Sequence, residues 1–372
     1  MDNNNKKTFK VINFNKAYEV PVNKVNVSKQ LVEWGKKNNY PTYILDLYNN
    51  YGSPTHKSII NKKVKLISGS GFEDILSPEL QSIVSTSNLE IETKKVSMDY
   101  ELFNGFAFEI IYDLSGNIST IQHIPFHKLR IGIKSEDIPY DYYWFSNDWS
   151  QYRKAIYSPE MIRSFNPLIK SGRQVYVYNE YNPQTEGSYP IASYSTAYNW
   201  IELDYQISVF HLNQAKQGYA PSFILNFATG IPTEEEMQQN SREIQDNYCG
   251  TENAGKMMIT YSDDENGTPT LIPISLNDSD ERFIQLSERT DEQITRASEI
   301  PPQLVILTPG KLGSSDERKE LLREFQVSYI TPRQNNIESV LKSIISAVGI
   351  SEELVLKEFK IEESENKIIE EK

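Results

Sequence analysis

The stretch Gly250-Thr251-Glu252-Asn253-Ala254-Gly255-Lys256-Met257 nearly spells a phosphate-binding loop, in which glycines free the backbone to cradle an anion and a lysine neutralises it. Two features oppose that chemistry. Met257 stands where a Ser or Thr hydroxyl would hold magnesium. The predicted order is also helix, loop, strand, whereas a phosphate loop needs strand, loop, helix so that backbone amides and the helix N-terminus face the anion. A helix-to-strand turn accounts for the glycines. Gly69-Ser70-Gly71-Phe72-Glu73-Asp74 imitates a dinucleotide fingerprint, but Asp74 falls where that motif needs a small residue, and we read it as a turn. His123 and His127 have the spacing of helical metal ligands, yet Pro125 between them and a strand-like context keep them from sharing a face, so they are read as structural. His56 and His211 are isolated, Cys249 has no nearby histidine to activate it, and no G-x-S-x-G elbow occurs. Acidic runs such as Glu234-Glu235-Glu236 suit a solvated helix N-terminus. No catalytic residue, metal or cofactor is expected.

Composition narrows the class further. The 372 residues suffice for two or more domains with cores, while 38% hydrophobic content and a mean hydropathy of -0.54 predict a polar, soluble chain. A single cysteine excludes an intrachain disulfide and fits a reducing cytoplasm. The N-terminus opens on Asn and Lys, and no apolar run approaches the ~20 residues of a membrane span, so neither secretion nor membrane insertion is expected. A net charge of -13 argues against an extended basic grip on nucleic acid; any contact with DNA is local or transient.

The elements that must position any site are clearest between residues 279 and 347. Arg282, Arg289 and Arg296 recur every seven residues and form one stripe of a helix over 279–299. Phe283, Leu286, Thr290, Ile294 and Ala297 form an apolar seam beside them, and Glu281, Glu288, Glu292 and Glu299 line a third face. A helix buried in one monomer needs only the seam. Opposite charge on separate edges suits identical copies standing side by side. Pro301-Pro302 then stops the helix, and Gly310 and Gly313 loosen the far end of the loop that follows. Ser314 with Glu317 has capping-box spacing for a last helix, in which Leu321, Leu322, Phe325, Tyr329, Ile337, Val340, Leu341, Ile344 and Val348 repeat at helical intervals. Pro332 falls inside it and predicts a kink.

Upstream, residues 1–25 read as a polar arm, Val27 to Tyr51 as helical, and Lys57 to Ser68 as a short helix or strand. Residues 88–150 look mostly β-rich, with a hairpin in which Phe106 to Tyr112 and Ile118 to Ile124 flank Leu114-Ser115-Gly116-Asn117; Tyr140 to Trp149 and Gln174 to Tyr178 continue the sheet. A helix over Thr196 to Gln217 buries a wide surface around Ile201, Tyr205 and Leu212. An insertion follows: a strand at 222–227, a helix from Thr233, and strands at 256–261 and 270–274.

This α+β order of helix, small insertion, helix, stiff loop and kinked helix resembles the portal proteins of tailed bacteriophages over about residues 30–347. The most family-like stretches are Tyr248 to Lys256, Arg296-Ala297-Ser298-Glu299-Ile300-Pro301-Pro302, and Phe325 through Pro332 to Ile337. The resemblance implies a β-rich wing over 1–195, a first stem helix over 196–218, a clip over 219–276 and a second stem helix over 277–300. It further implies a tunnel loop over 301–315, a kinked helix closing the wing over 316–348, and a short acidic tail or reduced crown over 349–372. It implies a dodecameric ring in the virion, at one capsid vertex, assembled in the host cytoplasm, with double-stranded DNA in its channel. Large terminase subunit, neck adaptor and major capsid protein would be its partners, and no membrane. Lys311, with Gln303, Ser314 and Ser315 behind it, would touch phosphate, although Lys311 also suits an ordinary exposed lysine. Glu252, Asn253 and Lys256 would lie in the terminase- and adaptor-docking clip, and the Arg282/Arg289/Arg296 and Glu281/Glu288/Glu292 edges would join subunits. Another ring-forming connector, such as a neck adaptor, and a nucleotide-binding enzyme are the alternatives.

Overall fold

In the computed structural model, which describes residues 24–26, 30–185, 188–216, 223–227, 233, 235, 258–261, 270–273, 279–305 and 315–358, helices and sheet share one apolar core. Its centre is the helix α4, Leu89–Phe103, in a stretch whose residues read as β-rich in the sequence. Leu89, Thr93, Val96, Tyr100 and Phe103 are all fully buried, and their steps of four, three, four and three residues are those of a helix face. Asn88 and Asn104 bound it in the left-handed conformation that asparagine tolerates. Before it come β1 (Lys24–Asn26), β2 (Leu31–Glu33), α1 (Tyr40–Asn49), α2 (Pro54–Ser68) and α3 (Pro78–Ser87). Residues 57–68, open in the sequence between helix and strand, are thus helical. Ser53 caps α2 by accepting from the His56 amide, and a proline at the first turn leaves no donor wasted.

The predicted hairpin is present as β3 (Gly105–Tyr112) and β4 (Ile118–His123), with Gly116 at φ 84° in the turn. With β5 (Leu129–Ile131), β6 (Tyr142–Phe145), β7 (Glu160–Ser164) and β8 (Arg173–Asn179) they form a six-stranded sheet of order β4-β3-β8-β7-β6-β5, antiparallel except for β7 and β8. Side chains close the β4 margin of this sheet, and side chains together with the backbone around β2 close the β5 margin, where Leu31 bridges Gly132 and Ile133 N donates to Gln30 O (3.0 Å). On β4 the outward amides of Ile121 and His123 donate to Ser87 Oγ (2.9 Å) and Glu92 Oε2 (2.7 Å), and just beyond the strand Phe126 N donates to Asp99 Oδ2 (2.8 Å). On β5 the Ile131 amide donates to the Tyr189 hydroxyl (2.7 Å), which itself donates to Val32 O (2.7 Å). Burying Ser87, Glu92 and Asp99 is therefore inexpensive, because each satisfies an otherwise orphaned backbone donor. Trp34 stacks on Tyr189 at 4.7 Å and meets Phe126 edge-on at 5.1 Å, joining the margin to the core.

The second half is built on helices. The helix expected over 196–217 is α5, Tyr198–Lys216, but it buries less than its apolar content suggests: Ile201 is fully buried whereas Leu212 is 52% exposed. Only its first turns lie on the body. After it come β9 (Phe223–Phe227), β10 (Met258–Tyr261) and β11 (Thr270–Pro273), which pair as β10-β9-β11, with β9 and β10 parallel and β9 and β11 antiparallel. Of the helix predicted from Thr233 only Thr233 and Glu235 are described, the latter in helical conformation. The charged-edge helix is α6, Ser279–Ala297, and a turn at Pro302–Leu304 follows it.

The last helices are α7 (Ser315–Phe325) and α8 (Thr331–Ser346), with five π-helical residues, Gln326–Ile330, between them. This alters the expected kink. Pro332 cannot donate to a carbonyl one turn back, and the chain accommodates it by widening the preceding turn, so that Thr331 N bonds to Gln326 O. Phe325 and Tyr329 stack at 5.3 Å across the widened turn. Residues 351–358, the start of the expected acidic tail, run back along Gly69–Glu73: Leu356 bridges Phe72, and Lys357 N donates to Gly71 O (2.8 Å). Leu354 and Leu356 are buried there. Gly69 is required in this pairing, because at φ 60° a Cβ would lie 2.1 Å from Lys357 O.

Candidate functional site

The α6 helix separates its faces as its residues dictate. Thr290, Ile294 and Thr295 are fully buried, and the two threonine hydroxyls donate to Leu286 O and Asp291 O at 2.7 Å, which satisfies both; one residue past the helix the buried Ser298 Oγ has no hydrogen-bond partner among the described residues. Near its start Phe283 meets Phe210 and His211 of α5 at ring distances of 4.8 and 5.3 Å. Farther along, Thr55 Oγ1 at the start of α2 donates to Asp291 Oδ1 at 2.6 Å. Seam and hydrogen bond fix α6 against α5 and α2.

The opposite face is open. Glu288, Arg289, Glu292 and Arg296 are exposed, and Gln285, Leu286, Glu288, Arg289 and Glu292 line a shallow depression of about 510 Å³. Arg296 donates to Glu292 Oε1 at 2.7 Å, one turn away, an exposed pair worth only about 0.3–0.5 kcal/mol. Among the described residues Arg289 has no carboxylate partner. Ile284, 60% exposed, adds an apolar spot to this face. The backbone at Glu281 and Arg282 is helical; their side chains lie outside the described residues.

Beyond α6 the chain turns at Glu299, φ 55°, and buries Ile300 and Leu304. Gln303 is exposed between them, and Lys62 Nζ of α2 donates to Leu304 O. This lysine anchors the start of the loop. Lys311 and Ser314 lie outside the described residues, and Ser315 opens α7 with its side chain likewise undescribed. Glu252, Asn253 and Lys256 also fall outside, but strand β10 begins at Met258, right after the near phosphate loop. The helix whose N-terminus such a loop needs is replaced by a strand. Pro332 sits in the first turn of α8, where its missing donor costs little.

A buried ionic centre escaped the sequence reading. Lys63, Glu101 and Arg333 meet under the π-turn: Lys63 Nζ is 3.5 Å from Glu101 Oε2, Arg333 Nε is 3.3 Å from Glu101 Oε1, and Tyr329 Oη donates to Glu101 Oε2 at 3.1 Å. Lys63 lies over the Tyr329 ring at 3.9 Å and Arg333 over Tyr100 at 4.3 Å. Burial lowers the Lys63 ammonium to about 8, against the pull of Glu101. Its signal in the sequence was a lysine at a position that Ile59, Ile60, Val64 and Ile67 mark as core. His56, fully buried nearby, has neither ring nitrogen hydrogen-bonded, and burial, then Lys63, pushes it down to about 3. His123 Nε2 is 2.6 Å from Asp99 Oδ2, and no group of three or more His, Cys, Asp or Glu residues among the described ones is placed to hold a metal. No described helix is long and apolar enough to cross a membrane.

The chain belongs to the phage portal protein family, whose model matches residues 93–363. It is 26% identical over 192 residues to an uncharacterized protein of Rickettsia bellii (strain RML369-C), a match covering 50% of this chain and 48% of that protein, so the chain aligns with about half the length of that relative. Among solved structures, its fold is similar to a chain from the neck of an empty GTA particle computed with C6 symmetry, with a TM-score of 0.59 and 13% identity over 84% of this chain and 83% of that one. A chain from the neck of a native GTA particle computed with C12 symmetry gives the same TM-score at 14% identity, covering 86% of this chain and 84% of that one.

Proposed function

We propose that the chain closes into a dodecameric ring, the portal at one capsid vertex, through which a terminase motor drives double-stranded DNA in and from which the genome later leaves. The observation that carries this reading is the frame of α5 and α6 around a small inserted sheet, followed by a proline-stopped turn, in a chain of the portal family. In it α5 and α6 are the stem, the β9–β11 insertion is the clip that docks the large terminase subunit and later a neck adaptor through Glu252, Asn253 and Lys256, and the six-stranded sheet with its helices is the wing facing the major capsid protein. The loop over 301–315 reaches the channel, with Lys311 nearest phosphate and Gln303, Ser314 and Ser315 behind it. A net charge of -13 suits a conduit, since repulsion from phosphate keeps the duplex from sticking while it slides. The ring assembles in the host cytoplasm and ends in the virion.

Electron microscopy of the purified chain tests this: rings with a central pore are expected, and monomers alone at every ionic strength, with scaffold and capsid protein present, would overturn it. In the ring, Arg289 of α6, which has no carboxylate partner among the described residues, pairs with the neighbouring copy together with Arg282 and Arg296, facing the Glu281, Glu288 and Glu292 edge. Arg289→Glu is therefore expected to shift the chain from rings to smaller species in sedimentation while leaving its unfolding midpoint in urea unchanged, because the side chain is exposed. An unaltered oligomer distribution would remove Arg289 from the interface.

A further inference from the structure

A second recess, far from the charged helix in the chain, lies where the loop between β5 and β6 faces the turn between β7 and β8. It has a volume of about 260 Å³ and is lined by Lys134, Tyr140, Asp141, Arg163, Phe165 and Asn166, among others. Its principal group is Arg163, whose guanidinium stacks on the Tyr140 ring at 3.8 Å. Among the described residues no carboxylate pairs with it. The acid in the recess is Asp141, which is already held by Lys134 at 3.0 Å. The lining thus carries two cations against one anion and has room for one more negative charge.

The wall opposite is preformed. Asn166 N donates to Gln174 Oε1 (2.9 Å), Gln174 Nε2 donates to Ile169 O (2.6 Å), and Leu168 N donates to Asn166 Oδ1 (3.0 Å). Gln174 is itself 1% exposed, so this turn is stapled from within the sheet and a ligand need not order it. We propose that this recess binds the carboxylate of a Glu or Asp side chain presented by an acidic peptide segment of a partner protein. Two arguments select that ligand. A stacked guanidinium keeps its planar fork of donors available and takes a carboxylate bidentately, which a flexible ammonium cannot do. The recess, about 260 Å³, has room for one side chain, and its single surplus positive charge matches a monoanion better than a phosphate dianion.

The test is titration of a fluorescent hexaglutamate peptide into the full chain at low salt, with acetate and inorganic phosphate as competitors. Saturable binding is expected, displaced by acetate at lower concentration than by phosphate. Arg163→Lys, which keeps the charge and loses the fork, should weaken it about tenfold. Lys134→Gln, at a side chain 54% exposed and thus safe for folding, removes the surplus charge and should also weaken binding. Equal affinity of Arg163→Lys and the natural chain would overturn the proposal, as would stronger competition by phosphate than by acetate, or an absence of saturable binding.

Discussion

Glu101→Gln is expected to destabilise the fold by about 3–5 kcal/mol, because it leaves two cations, Lys63 and Arg333, buried without their shared counter-charge. The carboxylate has 1% exposure and accepts from Tyr329 as well, so the substitution also replaces a charge-assisted hydrogen bond by a weaker neutral one to the glutamine carbonyl. Urea unfolding reads this as a lowered midpoint with an unchanged slope. The double substitution Glu101→Gln with Lys63→Met should recover part of the loss, since one of the stranded charges is gone. A single variant as stable as the natural chain would mean that water reaches the site and solvates the cations. The centre joins α2, α4 and α8 beneath the π-turn, so its loss should also loosen the widened turn before the rest of the helix.

His56 gives the second large effect, in its pH dependence. In the fold its ring is held neutral down to about pH 3, whereas an unfolded chain takes up the proton near 6.5. Between those limits the unfolded state binds more protons, so stability is fully present above pH 6.5 and is lost as pH falls, at up to about 1.4 kcal/mol per pH unit. Replacing the ring by one that cannot titrate, His56→Phe, removes this contribution and keeps an aromatic face against Tyr194, whose ring centroid is 4.5 Å away. The difference between the two unfolding free energies, measured from pH 7.5 to 4, should therefore carry that slope. Parallel curves for the two proteins would show that the imidazole is protonated in the fold. Because neither nitrogen has a hydrogen-bond partner, the substitution deletes no bond.

What could be seen in the residues follows from how local the cause is. The β3–β4 hairpin was legible because the turn needs a residue at positive φ and Gly116 supplies it within the same short segment. The apolar seam of α6 was legible for a similar reason, since Thr290 and Ile294 are buried one turn apart, but the arginine and glutamate stripes expected on separate edges share one exposed face, where Glu288, Arg289 and Glu292 line one depression and Arg296 donates to Glu292. Helix α4 was missed because it merges in the sequence with the β-rich span that follows it, although Leu, Glu, Lys and Met dominate its residues and Leu89, Thr93, Val96, Tyr100 and Phe103 step by four and three. At Pro332 the lost hydrogen bond was foreseeable, but its accommodation was not. Whether a chain bends or widens its turn depends on the partners available, here the Phe325–Tyr329 stack and the ionic centre below it. Lys63 and Glu101 were read past for the opposite reason: a charge in an apolar stretch resembles a solvated edge until a partner 38 positions away is brought to it.

The closed margins of the six-stranded sheet bear on how copies of this chain can join. An exposed strand margin is a generic adhesive: any chain with a free β-strand can lengthen it, and the repeat so produced is a ribbon with no natural end. A ring depends on a rotation that returns to its starting point, and a competing mode of growth by translation would divert copies into filaments before the circle is complete. Ser87, Glu92 and Asp99 on one margin, and Tyr189 on the other, occupy the donors that such growth would use. In the proposed ring their contribution would be to fidelity of assembly: they would leave side-chain recognition as the route by which this sheet meets a neighbour, and side-chain recognition can specify an angle.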